Sequence, residues 1–295
     1  MPKEVSLQRF FRSGASRHFF AARFGQALCV QNRRMPDAAI SSVMSTAILS
    51  ALPQEQHGLM ELLQHPRRLS HAGREFWQGE LHGQPVVLAL SRIGKVAAAT
   101  TATALIERFG VRRMVFTGVA GGMGTGVKVG DVVVATDFMQ HDLDVSPLFP
   151  RYEVPFYRKA RFDSDAALTA LLFQAACRAL ESEHAKGQQS LATHRFPGAC
   201  VHQGLIASGD RFVSGAHESR ALLAALAGAG HEVLAVEMEG AAVAQVCLDY
   251  GVPFAAVRTI SDRADDSAHV DFQRFVDEVA SRYAHAIIER LLISL

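Results

Sequence analysis

Short apolar runs alternate with longer amphipathic segments from residue 46 onwards. Runs of this length predict strands, and the longer segments predict helices. The predicted strands are Thr46–Leu52, Glu75–Leu81, Pro85–Ser91, Arg113–Val119, Asp131–Asp137, Val201–Ser208, Val233–Glu237 and Phe254–Ile260. The predicted helices are Gln54–Gln64, Val96–Phe109, Asp163–Ser182, His217–Ala227, Glu239–Tyr250 and Phe272–Leu292, with a polar surface loop at Glu183–Pro197. This alternation indicates the α/β class, as a single domain whose central mixed β-sheet is flanked by helices.

Residues 1–43 differ from the rest of the chain in their charge. They contain seven Lys and Arg residues against two acids. An Arg-rich, acid-poor start is typical of a transit peptide, but it equally fits a disordered tail or sequence translated ahead of a start at Met44. We favour a disordered tail or upstream translated sequence over a transit peptide, because a strand-like run begins directly after Met44. We therefore expect a basic N-terminal extension outside the mature fold and a domain over residues 44–295.

Composition excludes several classes of partner. The formal net charge is +1, so no overall field attracts nucleic acid or a membrane surface. No apolar run approaches the roughly 20 residues that a membrane-spanning helix needs. The cysteines are scattered without CxxC spacing, which indicates reduced thiols in a cytoplasmic protein and no zinc site.

Candidate chemistry is concentrated in the segments that follow the predicted strands. Ligands of α/β proteins bind outside the carboxyl ends of the strands, so these segments are where a site is expected. Four of the segments carry acids, namely Glu55, Asp210, Glu237 with Glu239, and Asp262. The sequence therefore predicts that several carboxylates converge on one edge of the sheet.

The later acids each have a structural alternative to a chemical role. Glu237 and Glu239 alternate in an extended segment, so both can face one way and accept hydrogen bonds from a ribose diol. Alternatively, Glu239 is an acid favoured at a helix N-terminus. Asp262 follows a buried strand, where desolvation raises a carboxyl pKa and makes the group a proton donor near neutral pH. A helix cap, or a salt bridge to Arg258 or Arg263, is its alternative.

The remaining motifs are equally open. The glycine-rich turn at Gly118–Gly122 allows the backbone to approach a ligand, but it also fits a tight turn between packed elements. A phosphate cradle would require a basic side chain, but no Lys or Arg lies near this turn. His141 and Asp144 have the spacing of metal ligands, yet no further ligands follow at a recognisable spacing, so we predict no metal. Glu55 is either a site acid or an acid in the first turn of a helix.

Eight segments occur together in an order that resembles the nucleoside phosphorylase superfamily and, within it, the methylthioadenosine/S-adenosylhomocysteine nucleosidases. They are Ala51–Glu55, Ile93–Ala98, Thr117–Gly122, Val129–Val132, His141–Val145, Ser208–Phe212, Val236–Glu239 and Ile260–Asp262. The resemblance runs from about Thr46 to the C-terminus. It implies a nucleoside phosphorylase-like fold and a cytoplasmic homodimer that hydrolyses a small nucleoside without a cofactor.

The resemblance also implies roles for the acids. Glu55 corresponds to the acid that activates the attacking water, and Asp262 to the acid that protonates N7 of the adenine. Glu239 corresponds to the residue that holds the ribose hydroxyls, with the backbone of Met238 beside it. Arg258 corresponds to a basic residue near the water and the ribose.

Other positions are implied to bind the base and the 5′ group. The backbone of Val213 corresponds to the part that recognises the adenine edge, and Phe212 to the ring that stacks on the base. Gly121 and Ser261 lie in matched motifs and are assigned to the same site. The apolar wall for a 5′-alkylthio group is assigned to Leu52, Ile93, Met238 and Phe275.

Three departures keep alternative functions open. Val119 stands where Ser is common, Arg92 stands where Gly is usual, and Pro147–Tyr157 matches poorly where the family builds part of the thioalkyl pocket. A phosphate-dependent phosphorylase is one alternative, since Arg92 could serve an anion, although such a site needs clustered Arg donors and Glu55 would repel phosphate. The others are a futalosine-type nucleosidase, with a polar 5′ pocket, and a nucleoside-binding protein without activity.

Overall fold

The computed structural model describes residues 45–187, 196, 198–264, 275, 279 and 281–295, and the extension predicted at residues 1–43 lies outside them. The strands are β1 (Thr46–Ser50), β2 (Gln64–His71), β3 (Arg74–Leu81), β4 (Gln84–Leu90), β5 (Arg113–Gly122), β6 (Val132–Gln140), β7 (Arg161–Asp163), β8 (Val201–Ser208), β9 (Val233–Glu237) and β10 (Phe254–Asp262). The helices are α1 (Pro53–Leu62), α2 (Lys95–Phe109), α3 (Ala166–Gly187), α4 (Ala216–Gly228), α5 (Gly240–Tyr250) and α6 (Ser281–Ile293). The predicted α/β class and mixed sheet are confirmed.

Two strands, β2 and β7, were not predicted, and the predicted end of α3 was wrong. Strand β2 was missed because it is an exposed edge strand containing Pro66 and two arginines, so it has no apolar alternation. Strand β7 has only three residues. Helix α3 continues to Gly187, into the stretch predicted as a loop. The described part of the predicted closing helix is α6, and most of residues 272–280 lie outside the described chain.

The central sheet closes on itself around five of its strands. Strand β10 pairs in parallel with β5 and antiparallel with β6, while β6, β8, β9 and β5 pair in turn. From β5 the sheet extends through β1, β4, β3 and β2, and the short strand β7 pairs with β6. This arrangement brings the ends of β5, β9 and β10 close together in space.

Strands β5 and β9 form an antiparallel pair, in keeping with the predicted mixed sheet. Not all strands run in one direction, yet the segments that follow β5 and β9 still meet. The reason is that only the last two residues of β5 pair with β9, with Gly121 opposite Val236 and Gly122 opposite Ala235. The carboxyl ends therefore overlap although the strands run in opposite directions.

Helices cover both faces of the sheet, as alternate strand residues show. In β1, Ala47 and Leu49 belong to the cluster under α2 and α5, whereas Ile48 belongs to the cluster under α1, α3 and α6. Strand β10 is buried over its whole length, as expected for a strand covered on both faces. Among the described residues, no helix has the length and apolarity to cross a membrane.

Candidate active site

A cavity of about 440 Å³ lies where the segments after β1, β5, β9 and β10 meet. This volume is within the range of roughly 300–1,000 Å³ that is typical of sites for small ligands. Four carboxylates contribute to its lining, namely those of Glu55, Glu237, Glu239 and Asp262. Most of the other lining residues are apolar, so the carboxylates act in a largely desolvated environment.

Glu55 is held by backbone amides in the first turn of α1. Its Oε2 accepts hydrogen bonds from the N–H groups of Ala51 at 2.8 Å and Leu52 at 2.9 Å, and its Oε1 accepts one from Val119 at 3.0 Å. Burial raises the pKa of Glu55 above its ordinary value, against the opposing effect of the amides and of Arg258. One carboxylate therefore both caps the helix and lines the cavity.

The glycine-rich turn allows Glu55 to approach the end of β5. A Cβ atom at Gly118 would lie 2.8 Å from Glu55 Oε1, closer than any side chain tolerates. A Cβ at Gly121 would similarly lie 3.0 Å from Asp262 Oδ1. The turn thus brings two acids against the backbone.

Asp262 reaches the cavity through an irregularity at the end of β10. The register with β5 shifts between Ile260 and Asp262, which places Asp262 opposite Gly121. Its Oδ1 accepts the N–H of Ala264 at 2.8 Å, and its Oδ2 accepts the hydroxyl of Ser261 at 2.7 Å. The carboxyl group is 2% exposed, so its orientation is fixed before a ligand arrives.

Glu237 and Glu239 have different surroundings although both line the cavity. Glu237 caps α5, because its carboxylate accepts the N–H of Gly240 at 2.9 Å and also bonds to the hydroxyl of Ser208. Glu239 is the N-cap residue of α5, but its side chain makes no cap hydrogen bond. Its Oε1 instead accepts the N–H of Gly94 at 2.8 Å. The helix-terminus role suggested for Glu239 thus belongs to Glu237.

The environment of Glu239 disfavours its charge. Burial, and then the neighbouring charge of Glu237, raise the pKa of Glu239 from 4.5 to about 8. Because folding raises the pKa of Glu239, the protonated group favours the folded state. This contribution to stability is complete below pH 4.5 and is lost as the pH rises through about 8.

We expect Glu239→Gln to weaken this loss of stability in the ligand-free protein, because Gln stays neutral throughout. The free energy of unfolding, measured in urea across this pH range, should fall less steeply in the variant than in the wild type. Glu80→Gln, at an exposed position, is the control and should follow the wild-type curve. A Glu239→Gln curve parallel to that of the wild type would contradict the assignment.

Arg258 lies behind the carboxylates and is not part of the cavity lining. Its guanidinium pairs with Glu237 at 2.8 Å, donates to the Phe116 carbonyl at 3.2 Å and stacks 4.0 Å from the Phe116 ring centroid. Its charge lowers the pKa values of both Glu55 and Glu239 against the larger effect of burial. Arg258, predicted to lie near the water and the ribose, is therefore outside the cavity lining and acts on the carboxylates there through its charge.

Most of the other predicted residues meet at the cavity. They are Leu52, Ile93, Gly121, Phe212, Val213, Met238 and Ser261. Phe275 is the exception, since its side chain is 4% exposed and packs in the core, with its ring 5.5 Å from that of Phe196. The structure therefore does not support Phe275 as part of the apolar wall.

Arg92 points away from the cavity. Its backbone is left-handed, with φ at 63°, and its guanidinium donates to the carbonyl of Gly73. It lines a separate cleft beside His57 and Trp77. The residue that favoured a phosphorylase is thus absent from the lining of the carboxylate site.

Sequence reasoning missed some lining residues. Ala120 and Val236 line the cavity and lie within matched motifs, but they were not singled out as site residues. Arg211 lies at the cavity beside Phe212, and its guanidinium pairs with Glu218 at 2.9 Å. In the described part of the chain, no group of three or more His, Cys, Asp and Glu side chains is arranged to hold a metal ion.

Comparison with known proteins identifies the family. The sequence profile of the phosphorylase superfamily matches residues 45–293. A 5′-methylthioadenosine/S-adenosylhomocysteine nucleosidase from Bacillus cytotoxicus is 36% identical over 249 residues, which are 84% of this chain and 98% of the relative.

Solved structures show the same similarity. The nucleosidase of this name from Neisseria meningitidis, in complex with methylthio-immucillin-A, has a TM-score of 0.73 and 37% identity, covering 86% of this chain and all (100%) of that one. Futalosine hydrolase of Helicobacter pylori has a TM-score of 0.72 and 31% identity, covering 86% and 99%. The chain therefore belongs to the phosphorylase superfamily and, within it, to the family of the 5′-methylthioadenosine/S-adenosylhomocysteine nucleosidases.

Proposed function

We propose that the protein hydrolyses the N-glycosidic bond of 5′-methylthioadenosine and S-adenosylhomocysteine, releasing adenine and the 5-thioribose product. The observation that carries this proposal is the convergence of Glu55, Glu239 and Asp262 on one largely apolar cavity. Cleavage of this bond develops positive charge on the ribosyl group and negative charge on the leaving base. Carboxylates and a proton donor are the groups that stabilise these charges.

Asp262 is the proposed proton donor to N7 of the adenine. Protonation of the leaving base removes its negative charge as the bond breaks. The hydrogen bonds from Ser261 and Ala264 hold the carboxyl group in one orientation. Phe212 and Val213 line the cavity and supply a ring face and a backbone edge for the base.

Glu55 is the proposed base for the attacking water. Its raised pKa makes the carboxylate a better proton acceptor than an ordinary glutamate. Glu239 accepts hydrogen bonds from the ribose hydroxyls, while its own position is fixed by the N–H of Gly94. The negative charge of Glu55 also lies where it can stabilise an oxocarbenium-like ribosyl group.

Water is favoured over phosphate as the nucleophile. A phosphate dianion requires clustered cationic donors, and Arg211 is the one cation among the described residues that line the cavity. Arg211 is already paired with Glu218 and its side chain is 75% exposed. The Arg258 charge is compensated by Glu237, and Arg92 faces another cleft.

The 5′ side of the cavity favours an apolar substituent. Leu52, Ile93 and Met238, which the family resemblance assigns to this side, all line the cavity. A carboxylated 5′ group, as in a futalosine-type substrate, would need a polar partner there. This supports a 5′-alkylthio nucleoside over that alternative.

We also propose a cytoplasmic homodimer. Large apolar side chains are exposed on α2 and on the segment before β7, with Val96 at 79%, Leu148 at 63% and Phe156 at 88%. Tyr157 in that segment bonds to Asp249 of α5 at 2.7 Å, which fixes the segment beside the helices. Contiguous exposed apolar patches mark interfaces, and we propose that these side chains contribute to one. A monomeric mass in sedimentation equilibrium at micromolar concentration would contradict the dimer.

The experiment that tests the function is a spectrophotometric assay of adenine release. We expect release from both methylthioadenosine and S-adenosylhomocysteine, without added metal or cofactor. Inosine, whose base lacks the amino group of adenine, is the comparison substrate and should be cleaved far more slowly. Failure to release adenine from either thio-substituted nucleoside would overturn the proposal.

A further inference from the structure

Two walls of the cavity lie on exposed loops instead of on the packed core. Ile93 is 58% exposed and Phe212 is 37% exposed. Ile93 belongs to the loop that precedes α2, and Phe212 to the loop that follows β8. Core packing therefore holds these two side chains less firmly than it holds buried residues, and interactions between the loops help to keep the spacing that a nucleoside requires.

A network of charged side chains joins these loops. Asp210 Oδ1 accepts the backbone N–H of Lys95 at 2.8 Å, while Asp142 Oδ2 accepts the backbone N–H of Asp210 at 2.8 Å. The ammonium group of Lys95 pairs with Asp142 and lies 3.8 Å from Asp210 Oδ2. The three residues thus form a ring of interactions that joins the start of α2 to the loops that follow β6 and β8.

The network is continuous with groups that face the ligand. Lys95 directly follows Gly94, whose N–H holds Glu239 at 2.8 Å. A Cβ at Gly94 would lie 3.2 Å from Asp210 Oδ1, so the two loops approach closely at this point. Asp210 is two residues before Phe212, and a shift of either loop would therefore move a cavity wall.

The surroundings of Asp142 favour its charged form. Burial alone would raise the pKa of Asp142, but the hydrogen bonds from Lys95 and from the Asp210 N–H outweigh burial and lower it. The Lys95 side chain is 16% exposed, so water screens its ion pair less than it screens a fully exposed pair. His141 anchors the same segment, because its backbone N–H donates to the carbonyl of Ser208 at 3.0 Å.

We propose that Lys95, Asp142 and Asp210 form a positioning latch that holds the Ile93 and Phe212 walls of the cavity at the spacing required to bind the nucleoside. This inference rests on the proposed nucleosidase function and extends it to residues that do not touch the reacting atoms. It also gives a role to the His141–Asp144 motif, whose spacing resembles that of metal ligands. Glu55 and Asp262 lie on α1 and β10, outside the latch, so its loss should affect binding more than chemistry.

The test is Lys95→Met, which keeps an unbranched apolar stem and removes the charge. Because loss of the latch would displace two walls of the cavity, we expect KM for methylthioadenosine to rise by about tenfold or more. The value of kcat should change by less than about threefold, since the acid and the base are not moved. Lys95→Arg should restore much of the affinity.

The matched control is Lys159→Met, which removes a surface lysine whose ammonium lies 3.1 Å from Asp163. This control should leave both KM and kcat unchanged. KM should also rise in Asp142→Asn. The KM of the Lys95→Met/Asp142→Asn double variant should not exceed the higher KM of the two single variants, because both changes break one network. If Lys95→Met does not fold, Asp142→Asn carries the test.

Adenine binding by calorimetry separates this inference from the proposed function. We expect adenine to bind Lys95→Met about tenfold more weakly than it binds the wild type, a result that requires no turnover. A wild type that binds adenine but cleaves no nucleoside would overturn the proposed function alone. Equal adenine affinity and equal KM in Lys95→Met and Lys159→Met would overturn the latch.

Discussion

Asp262→Asn should lower kcat for methylthioadenosine by about 10²- to 10⁴-fold, the usual contribution of a general acid. Asn has the shape of Asp but cannot transfer a proton to N7 of the leaving base. Its carbonyl oxygen can still accept the Ala264 N–H, which Asp262 accepts at 2.8 Å. We therefore expect substrate binding to persist, and equilibrium dialysis of intact methylthioadenosine against the variant would measure it.

Asp163→Asn provides the control for this change, because the Asp163 side chain is 77% exposed and distant in sequence from the lining. It should retain wild-type kcat. Turnover close to the wild-type rate in Asp262→Asn would rule out the acid role. Loss of binding together with turnover would instead indicate that Asp262 holds the substrate and does not act as a proton donor.

Arg258→Met should cause the largest loss of stability. The side chains of Arg258 and Glu237 are 2% and 3% exposed and form one ion pair at 2.8 Å. Removing one partner of a buried pair leaves an uncompensated charge, which costs about 3–5 kcal/mol. The free energy of unfolding in urea at neutral pH would measure this loss. Activity should fall too, because the same charge stabilises the ionised forms of Glu55 and Glu239.

Two further variants isolate the buried charge as the cause. Glu237→Gln in the Arg258→Met background removes the unpaired carboxylate and should recover part of the lost stability. Arg68→Met breaks an exposed pair with Glu75, whose side chains are 58% and 50% exposed, and should cost at most about 1 kcal/mol. A loss in Arg258→Met as small as that in Arg68→Met would contradict the account.

The buried acids were predictable from sequence because each follows a strand. Their individual surroundings were not predictable, since these depend on register and side-chain direction. Glu237 and Glu239 show this well. Alternation placed both near one face, but only the structure assigns the helix cap to Glu237 and the Gly94 contact to Glu239.

The corrections have the same physical origin. Arg258 and Phe275 were assigned to the ligand by motif correspondence, whereas one lies behind the carboxylates and the other packs in the core. Strand β2 was not predicted because an exposed edge strand needs no apolar face and so lacks the alternating pattern. The contacts of Lys95 with Asp142 and Asp210 join residues that are far apart in sequence, so no local sequence pattern predicts these contacts.

The central claim is that water, and not phosphate, attacks the ribosyl group. The direct measurement is the rate of adenine release from methylthioadenosine in phosphate-free buffer and in saturating phosphate, with the sugar product identified by mass spectrometry. Our account predicts equal rates and free 5-methylthioribose in both buffers. Release that requires phosphate and yields the ribose 1-phosphate would contradict it, because the cavity would then have to hold a dianion beside Glu55.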